Sequence, residues 1–196
     1  MKNNFELIIK NVSKQIELND NELKLFCSKF QIENLKAKQI LVDIGEICTR
    51  TYFVNSGCLR SLALDSNGVE HTISFAPTDW WIAEMYSYIS GQPATMKIEA
   101  VEASEVLFIE KNDYENLFHE IPKLERVFRM LLERSIVAHQ KRLIDNLSKS
   151  AEDRYINFTK KFPSLVNTVS QKQIASYIGV TPEFFSKMKA KILRGK

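Results

Sequence analysis

The middle of the chain changes from a helical to a strand-like repeat near residue 38, and this change restricts the possible folds most. Short segments rich in β-branched and aromatic residues alternate with turn residues, and Gly45, Gly57 and Gly68 follow at intervals of 12 and 11 residues. Strands at such a regular interval predict a β-sandwich or barrel. Residues 65–68 read Asp-Ser-Asn-Gly, which predicts a hairpin turn because Asn and Gly adopt positive φ at little cost. The predicted strands are residues 38–44, 52–54, 58–64, 69–75, 97–101 and 105–110.

Helical patterns flank this β region on both sides. The first forty residues carry apolar side chains at helical spacing and predict short helices, one of them capped by residues 19–21. Residues 80–96 interrupt the strand pattern and predict a short helix and a turn. Asn112 and Asp113 predict the cap of another short helix, which ends near Pro122.

A long helix is predicted from about residue 122 to residue 146. A helix of this length spans about 37 Å, which is longer than a small barrel requires. It also carries more apolar surface than one packed face needs, so we expect it to cover the β domain and to pair with its own copy in a dimer. A helix packed only on its own domain is the alternative. The positions on the predicted apolar face are Leu124, Val127, Phe128, Leu131, Leu132, Ser135, Ala138 and Leu143, and Arg142 interrupts that face.

The most informative motif lies at residues 170–188, after a polar break at residues 147–150 that predicts a hinge and a further helix at residues 153–162. Ser170 and Gln173 have the spacing of a capping box, and Gly179 stands where a left-handed residue ends a helix. Thr181 and Pro182 are favourable residues for the start of a second helix. The pattern of helix, glycine turn and helix is typical of a helix-turn-helix.

The second helix of this motif has an apolar stripe and an opposite polar face. Lys187 can donate to guanine and Glu183 can accept from cytosine in the major groove, while other lysines contact phosphates. The distribution of charge agrees, because residues 1–140 carry 15 basic and 20 acidic residues whereas residues 141–196 carry 12 basic and 4 acidic ones. The predicted DNA-binding residues are Lys172, Thr181, Glu183, Ser186, Lys187, Lys189 and Lys191.

Taken together, these parts resemble the Crp/Fnr family of bacterial transcription regulators. The resemblance rests on Gly45-Glu46, on residues 52–57, on the hairpin at Gly68, on the long helix and on the helix-turn-helix. It implies an α+β chain with an N-terminal jelly roll of the cyclic-nucleotide-binding type, a dimerisation helix and a winged-helix domain. We expect these at residues 1–121, 122–147 and 148–196. The implied partners are a pseudo-palindromic DNA duplex, a second copy of the chain, an unidentified small-molecule effector and, in addition, RNA polymerase.

The sequence departs from the cyclic-AMP-binding pattern of this family. Glu84 matches the ribose-binding carboxylate, but the cassette glycine is Ala83 and the phosphate-binding Arg-Ser pair falls on Ala94 and Thr95. The loss of a forked cationic partner predicts weak or no binding of cyclic AMP, and we predict no cofactor. His139 and Gln140 fall near the base-contacting polar pair of the family and complete the candidate ligand residues.

Two further expectations concern the end of the chain and the chemistry it lacks. The chain stops soon after the predicted recognition helix, so the family's wing is expected to be missing. A ligand-binding or protein-interaction module with a degenerate helix-turn-helix is therefore the alternative. Cys27, Cys48 and Cys58 are expected to be reduced thiols, and the scattered histidines favour neither a metal site nor an enzyme. No signal peptide or membrane-spanning segment is predicted, so we expect a cytoplasmic protein.

Overall fold

The structure is a computed structural model that describes residues 4–194. Its described residues form two compact units, which are treated separately below. The first unit comprises the chain up to Ser61 together with Phe75–Glu133, and the second comprises Leu62–Ser74 together with the chain from Arg134 onward. The strands are β1 (Gln31–Leu35), β2 (Ile40–Val42), β3 (Arg50–Ser56), β4 (Cys58–Leu64), β5 (Glu70–Pro77), β6 (Trp81–Ile82), β7 (Lys97–Ala100) and β8 (Ser104–Glu110). The helices are α1 (Glu6–Ser13), α2 (Asp20–Ser28), α3 (Met85–Ser90), α4 (Lys111–Glu120), α5 (Leu124–Ser148), α6 (Ala151–Lys161), a 3₁₀ turn (Pro163–Val166), α7 (Gln171–Ile178) and α8 (Pro182–Arg194).

Two four-stranded sheets form the β-sandwich that the strand spacing predicts. One sheet has the order β1-β8-β3-β6 and the other the order β2-β7-β4-β5. Strand β8 shows why the sequence folds this way, because its successive side chains point to opposite faces. Val106 and Phe108 belong to the sandwich core, whereas Leu107 and Ile109 belong to a second core. The predicted mixed fold with a cyclic-nucleotide-binding type of β-sandwich and a helical C-terminal region is confirmed.

The second core lies between one sheet and a layer of helices. It includes Ile8 and Val12 from α1, Phe26 from α2 and the first turns of α5, all of which are buried. The turns between elements follow the predicted chemistry. Asn19 caps α2 in a capping box, and Gly68, at φ +77°, closes the hairpin between β4 and β5.

The C-terminal helices pack around a separate aromatic cluster. Phe158 lies 5.4 Å from the ring of Tyr177 and 5.5 Å from that of Phe162, measured between ring centroids. Tyr155 makes a similar contact with Phe185 at 5.2 Å. These contacts give the small helical unit a core of its own, which a segment of this size needs.

Three local predictions are wrong. Residues 31–35 form β1 and pair with β8, whereas the first forty residues were expected to be helical. The segment reads Gln-Ile-Glu-Asn-Leu without strict alternation, and pairing with the interior strand β8 decides its structure. Glu110, not Asn112 or Asp113, precedes α4, and its side chain makes no capping bond. The long helix begins at Leu124 and ends at Ser148, two residues later at each end than expected.

Candidate nucleic-acid interface and effector pocket

The helix-turn-helix at the C-terminal end forms as its capping residues predict. The Ser170 hydroxyl accepts from the Gln173 amide at 3.3 Å, and the Gln173 side chain accepts from the Ser170 amide at 3.0 Å. Gly179 ends α7 in the left-handed conformation, at φ +72°. The Thr181 hydroxyl then accepts from the Phe184 amide at 3.2 Å and starts α8. Three local hydrogen bonds and one left-handed glycine therefore set the ends of the two helices at the turn.

Helix α8 has one buried and one exposed face. Phe185 and Met188 are buried against the aromatic cluster, which fixes the rotation of the helix. The opposite face is exposed and carries polar and charged side chains. Lys189 is half-buried, and the Nζ atom of Lys191 lies 3.7 Å from a carboxylate oxygen of Glu152. The predicted residues that are exposed are Lys172, Thr181, Glu183, Ser186, Lys187 and Lys191.

Phe184 is a surface residue that the sequence reasoning missed. Its ring is 52% exposed in the first turn of α8, beside Glu183. An exposed aromatic ring at this position can contact the methyl group of thymine in the major groove. The sequence could have shown this, because Phe184 lies outside the apolar stripe of α8 and next to the polar residue Glu183.

A second feature missed by sequence reasoning ties the hairpin of residues 62–74 to α7. The Ser176 hydroxyl donates to the Glu70 carbonyl at 2.9 Å and accepts from the Thr72 amide at 2.8 Å. Arg142 donates to the carbonyls of Ile73, Thr72 and Tyr177, and its guanidinium lies 4.4 Å from the Tyr177 ring centroid. These bonds join residues 35 to 106 positions apart, so no local pattern could reveal them.

The candidate effector pocket in the first unit contains Glu84, which is fully buried. One carboxylate oxygen accepts from the Ser87 amide at 2.6 Å, and the other accepts from the Thr95 hydroxyl at 3.2 Å. The structure therefore brings Glu84 and Thr95 together, with the half-buried Ala83 preceding Glu84. Both oxygens therefore have protein partners, and the Thr95 amide also donates to the second one at 3.3 Å.

The predicted phosphate position at Ala94 carries no charged side chain. Ala94 is buried and contributes no charge, and its amide and carbonyl bond to the backbone of Glu46 and Gly45. Lys97 is the nearby cation considered as a substitute for the missing arginine, but its Nζ atom lies 3.3 Å from the Asp43 carboxylate. A phosphate placed here would lack the forked cationic partner that such groups need.

His139 and Gln140 lie on the part of α5 that belongs to the second unit. Burial, followed by the charges of Arg142 and Lys161, lowers the pKa of His139 below its ordinary value of 6.5. The neutral imidazole is therefore the favoured form at physiological pH.

The same part of α5 exposes a row of large apolar side chains. Ile136 and Leu143 are 58% and 60% exposed and lie seven residues apart. Val137 and Ile144 show the same spacing, with 63% and 60% exposure. A seven-residue repeat of apolar side chains is the pattern of a helix that packs on another helix. Leu132 at 41% and Leu147 at 81% extend this row, which we call the α5 apolar face.

The described residues carry little reactive chemistry. Cys48 and Cys58 are buried, Cys27 is half-buried and all three are free thiols; burial is the main cause that raises the pKa of Cys58 to about 12. Among residues 4–194 no group of three His, Cys, Asp or Glu side chains is placed to hold a metal ion. No helix in this range is long and apolar enough to cross a membrane.

Comparison with known proteins agrees with this geometry. Residues 32–120 match the family model of the cyclic nucleotide-binding domain. The fold is similar to that of FixK2 from Bradyrhizobium japonicum, at 16% identity, with a TM-score of 0.75 and coverage of 85% of each chain. It is also similar to the c-di-GMP-responsive global regulator CLP from Xanthomonas campestris, at 14% identity and a TM-score of 0.73, over 90% of this chain and 93% of that one. A Crp/Fnr-family regulator from Eubacterium rectale is 19% identical with a TM-score of 0.72, over 99% and 89% of the two chains. No curated protein matches the sequence.

Proposed function

Residues 32–120 form a cyclic nucleotide-binding domain within a chain that has the Crp/Fnr fold, and from this premise we propose a homodimeric, DNA-binding transcription regulator that acts in the cytoplasm. The resemblance to Crp/Fnr regulators seen in the sequence is confirmed, and the structural relatives are regulators, not enzymes. The observation that carries the proposal is the capped helix-turn-helix whose second helix exposes a polar, lysine-bearing face.

The exposed face of α8 supports specific binding to duplex DNA. Glu183, Phe184 and Lys187 lie in the first two turns, where a recognition helix reaches base edges. Lys172, at the start of α7, is placed to contact a phosphate, which gives affinity without sequence information. Lysine makes a single-point contact where arginine makes a rigid two-pronged one, so discrimination for guanine is expected to be loose.

The α5 apolar face supports the dimer. Exposed apolar side chains at seven-residue spacing are stabilised when they pack against the same face of a second copy. A twofold dimer would present two α8 helices about 34 Å apart, which is one turn of duplex DNA. The expected operator is therefore a pseudo-palindrome.

We further propose that the effector, if the regulator has one, is not cyclic AMP. The buried Ala94 supplies no charge and Glu84 is satisfied by Ser87 and Thr95. Calorimetric titration with cyclic AMP should show no saturable heat. In the proposed regulator, residues 1–121 form the effector domain, residues 122–147 form the dimerisation helix and residues 148–196 form the DNA-binding domain.

Two lysine variants test DNA reading. Lys187→Ala should weaken binding to the preferred duplex by about 1–3 kcal/mol and reduce the preference at one base pair per half-site. Lys172→Ala should weaken binding to all duplexes alike and reduce the salt dependence by about one counterion. Lys36→Ala, on the exposed surface of the other unit, is the control for the loss of one charge. If Lys187→Ala leaves the sequence preference unchanged, base reading by α8 is wrong and the degenerate-module alternative gains support.

A further inference from the structure

The second unit contains a cavity of about 420 Å³ between the C-terminal end of α5, α6 and α7. This volume lies within the usual range for small-molecule sites. The cavity is distinct from the pocket at Glu84, which belongs to the first unit. Apolar side chains line part of it, among them Ala138 and Ile178. The charged residues that line it are Lys141, Arg142, Asp145, Arg154, Lys160 and Lys161.

The charge of this cavity is strongly unbalanced. Five cationic side chains line it and Asp145 is the one carboxylate among its lining residues. Asp145 is itself engaged, since it accepts from the Lys149 ammonium at 2.9 Å and from the Asn157 amide at 2.9 Å. The single negative charge is therefore shared with a lysine outside the cavity lining, and a net positive field remains.

Both arginines of the cavity are held by neutral partners. Arg142 donates to three backbone carbonyls, and Arg154 donates to the carbonyls of Asn146 and Lys149 at 3.2 and 3.1 Å. Carbonyl groups orient a guanidinium but do not neutralise its charge. The Nε–H groups of Arg142 and Arg154 are buried and have no hydrogen-bond partner among the described residues.

Neighbouring titratable groups respond to the same field. Burial, followed by the charges of Arg142 and Lys141, lowers the pKa of Lys161. His139, on the same helix, is affected by Arg142 and Lys161 in the same direction. An anion bound among these cations would oppose both effects.

We propose that this cavity binds a small molecule that carries one or more phosphate groups, with the phosphate held by Lys141, Arg142 and Lys161. The apolar lining would cover the remainder of the molecule. Since the cavity contacts α5, α6 and α7 together, an occupant would hold the helix-turn-helix against the end of the long helix. The site depends neither on DNA binding nor on the pocket at Glu84, so it extends the proposed function.

Inorganic pyrophosphate is the probe, titrated into the full chain by calorimetry at constant ionic strength and without DNA. The double variant Lys141→Gln/Lys161→Gln should weaken binding at least tenfold. The matched control, Lys10→Gln/Lys36→Gln, makes the same charge change on exposed residues of the first unit and should stay within twofold. Circular dichroism confirms that both variants are folded. In the wild-type protein, pyrophosphate should raise the pKa of His139. The pKa is measured from the proton resonances of the imidazole ring as the pH is changed.

Several results would overturn the assignment. Equal weakening in the cavity variant and its control would mean that net charge alone attracts the probe. Loss of binding in Lys187→Gln/Lys189→Gln, with the cavity variant unaffected, would place the anion on α8. The last experiment adds a DNA duplex of unrelated sequence. If the duplex displaces pyrophosphate, and if its own binding also requires Lys141 and Lys161, the cavity receives the DNA backbone and the assignment of a small-molecule site is wrong. Absence of saturable binding to wild type would also reject it, without affecting the DNA-binding proposal.

Discussion

Replacing Ile136 and Leu143 by glutamate should convert the proposed dimer into monomers. The two side chains are 58% and 60% exposed in the single chain, so about three fifths of each is available for burial at a twofold interface. Complete burial of such a side chain contributes about 1.5–3 kcal/mol, and the available part therefore contributes about 0.9–1.8 kcal/mol. Four such side chains meet in a dimer, which gives about 4–7 kcal/mol. Removing this contribution should weaken association by about three to five powers of ten.

Sedimentation velocity over a concentration series measures this change directly. Ile89→Glu is the control, because Ile89 is 68% exposed and lies on α3, a different helix. The control should sediment as wild type, and circular dichroism should show the same helix content in all three proteins. If the double variant dimerises as tightly as wild type, the α5 apolar face is not the interface, and burial of Ile136 and Leu143 does not stabilise the dimer.

Three further predictions concern the folded chain. Gly57→Ala should destabilise the protein by more than about 2 kcal/mol in urea unfolding, because Gly57 has φ +86° and an added Cβ would lie 2.3 Å from the Ser104 hydroxyl; unchanged stability would contradict this. Phe185→Ala should cost about 3–5 kcal/mol, since the ring is fully buried, and a loss of less than 1 kcal/mol would show that α8 is not packed as described. His139 has a pKa below 6.5 in the folded protein, owing to burial and then to Arg142, so the unfolded chain binds more protons. Stability should therefore fall as the pH falls below 6.5, and His139→Gln should reduce that slope; an equal slope in the variant would refute the assignment.

The helix-turn-helix could be predicted because each of its determinants is local. Ser170 with Gln173, then Gly179, then Thr181 satisfy backbone groups within four residues in the chain, and the structure confirms each of them. The β-sandwich was predictable for a related reason, since strand alternation and glycine turns depend on neighbouring residues.

The features that sequence reasoning missed depend on distant partners. Residues 31–35 become a strand because β8 pairs with them, from Gln31 with Phe108 to Leu35 with Ser104. Arg60 and Glu99 form a buried ion pair at 2.6 Å across adjacent strands, 39 residues apart. Arg142 looked like an interruption of an apolar helix face, and its role in joining the hairpin to α7 requires the folded chain.

The candidate sites divide in the same way. Glu84 and Thr95 were singled out by resemblance, and the structure places them within hydrogen-bond distance. The cavity at Lys141 and Lys161 has no motif, because its charged residues come from two separate helices and its other lining residues are apolar or neutral. The α5 apolar face was expected in outline, but Ile136 was not among its predicted residues.

A selection of random duplexes by the wild-type protein tests the central claim most directly, which is that two copies of the chain read DNA with α8. The account predicts enrichment of a pseudo-palindrome with half-site centres about ten base pairs apart, bound by two chains per duplex. Enrichment of a single half-site by one chain, or no enrichment above background, would contradict it.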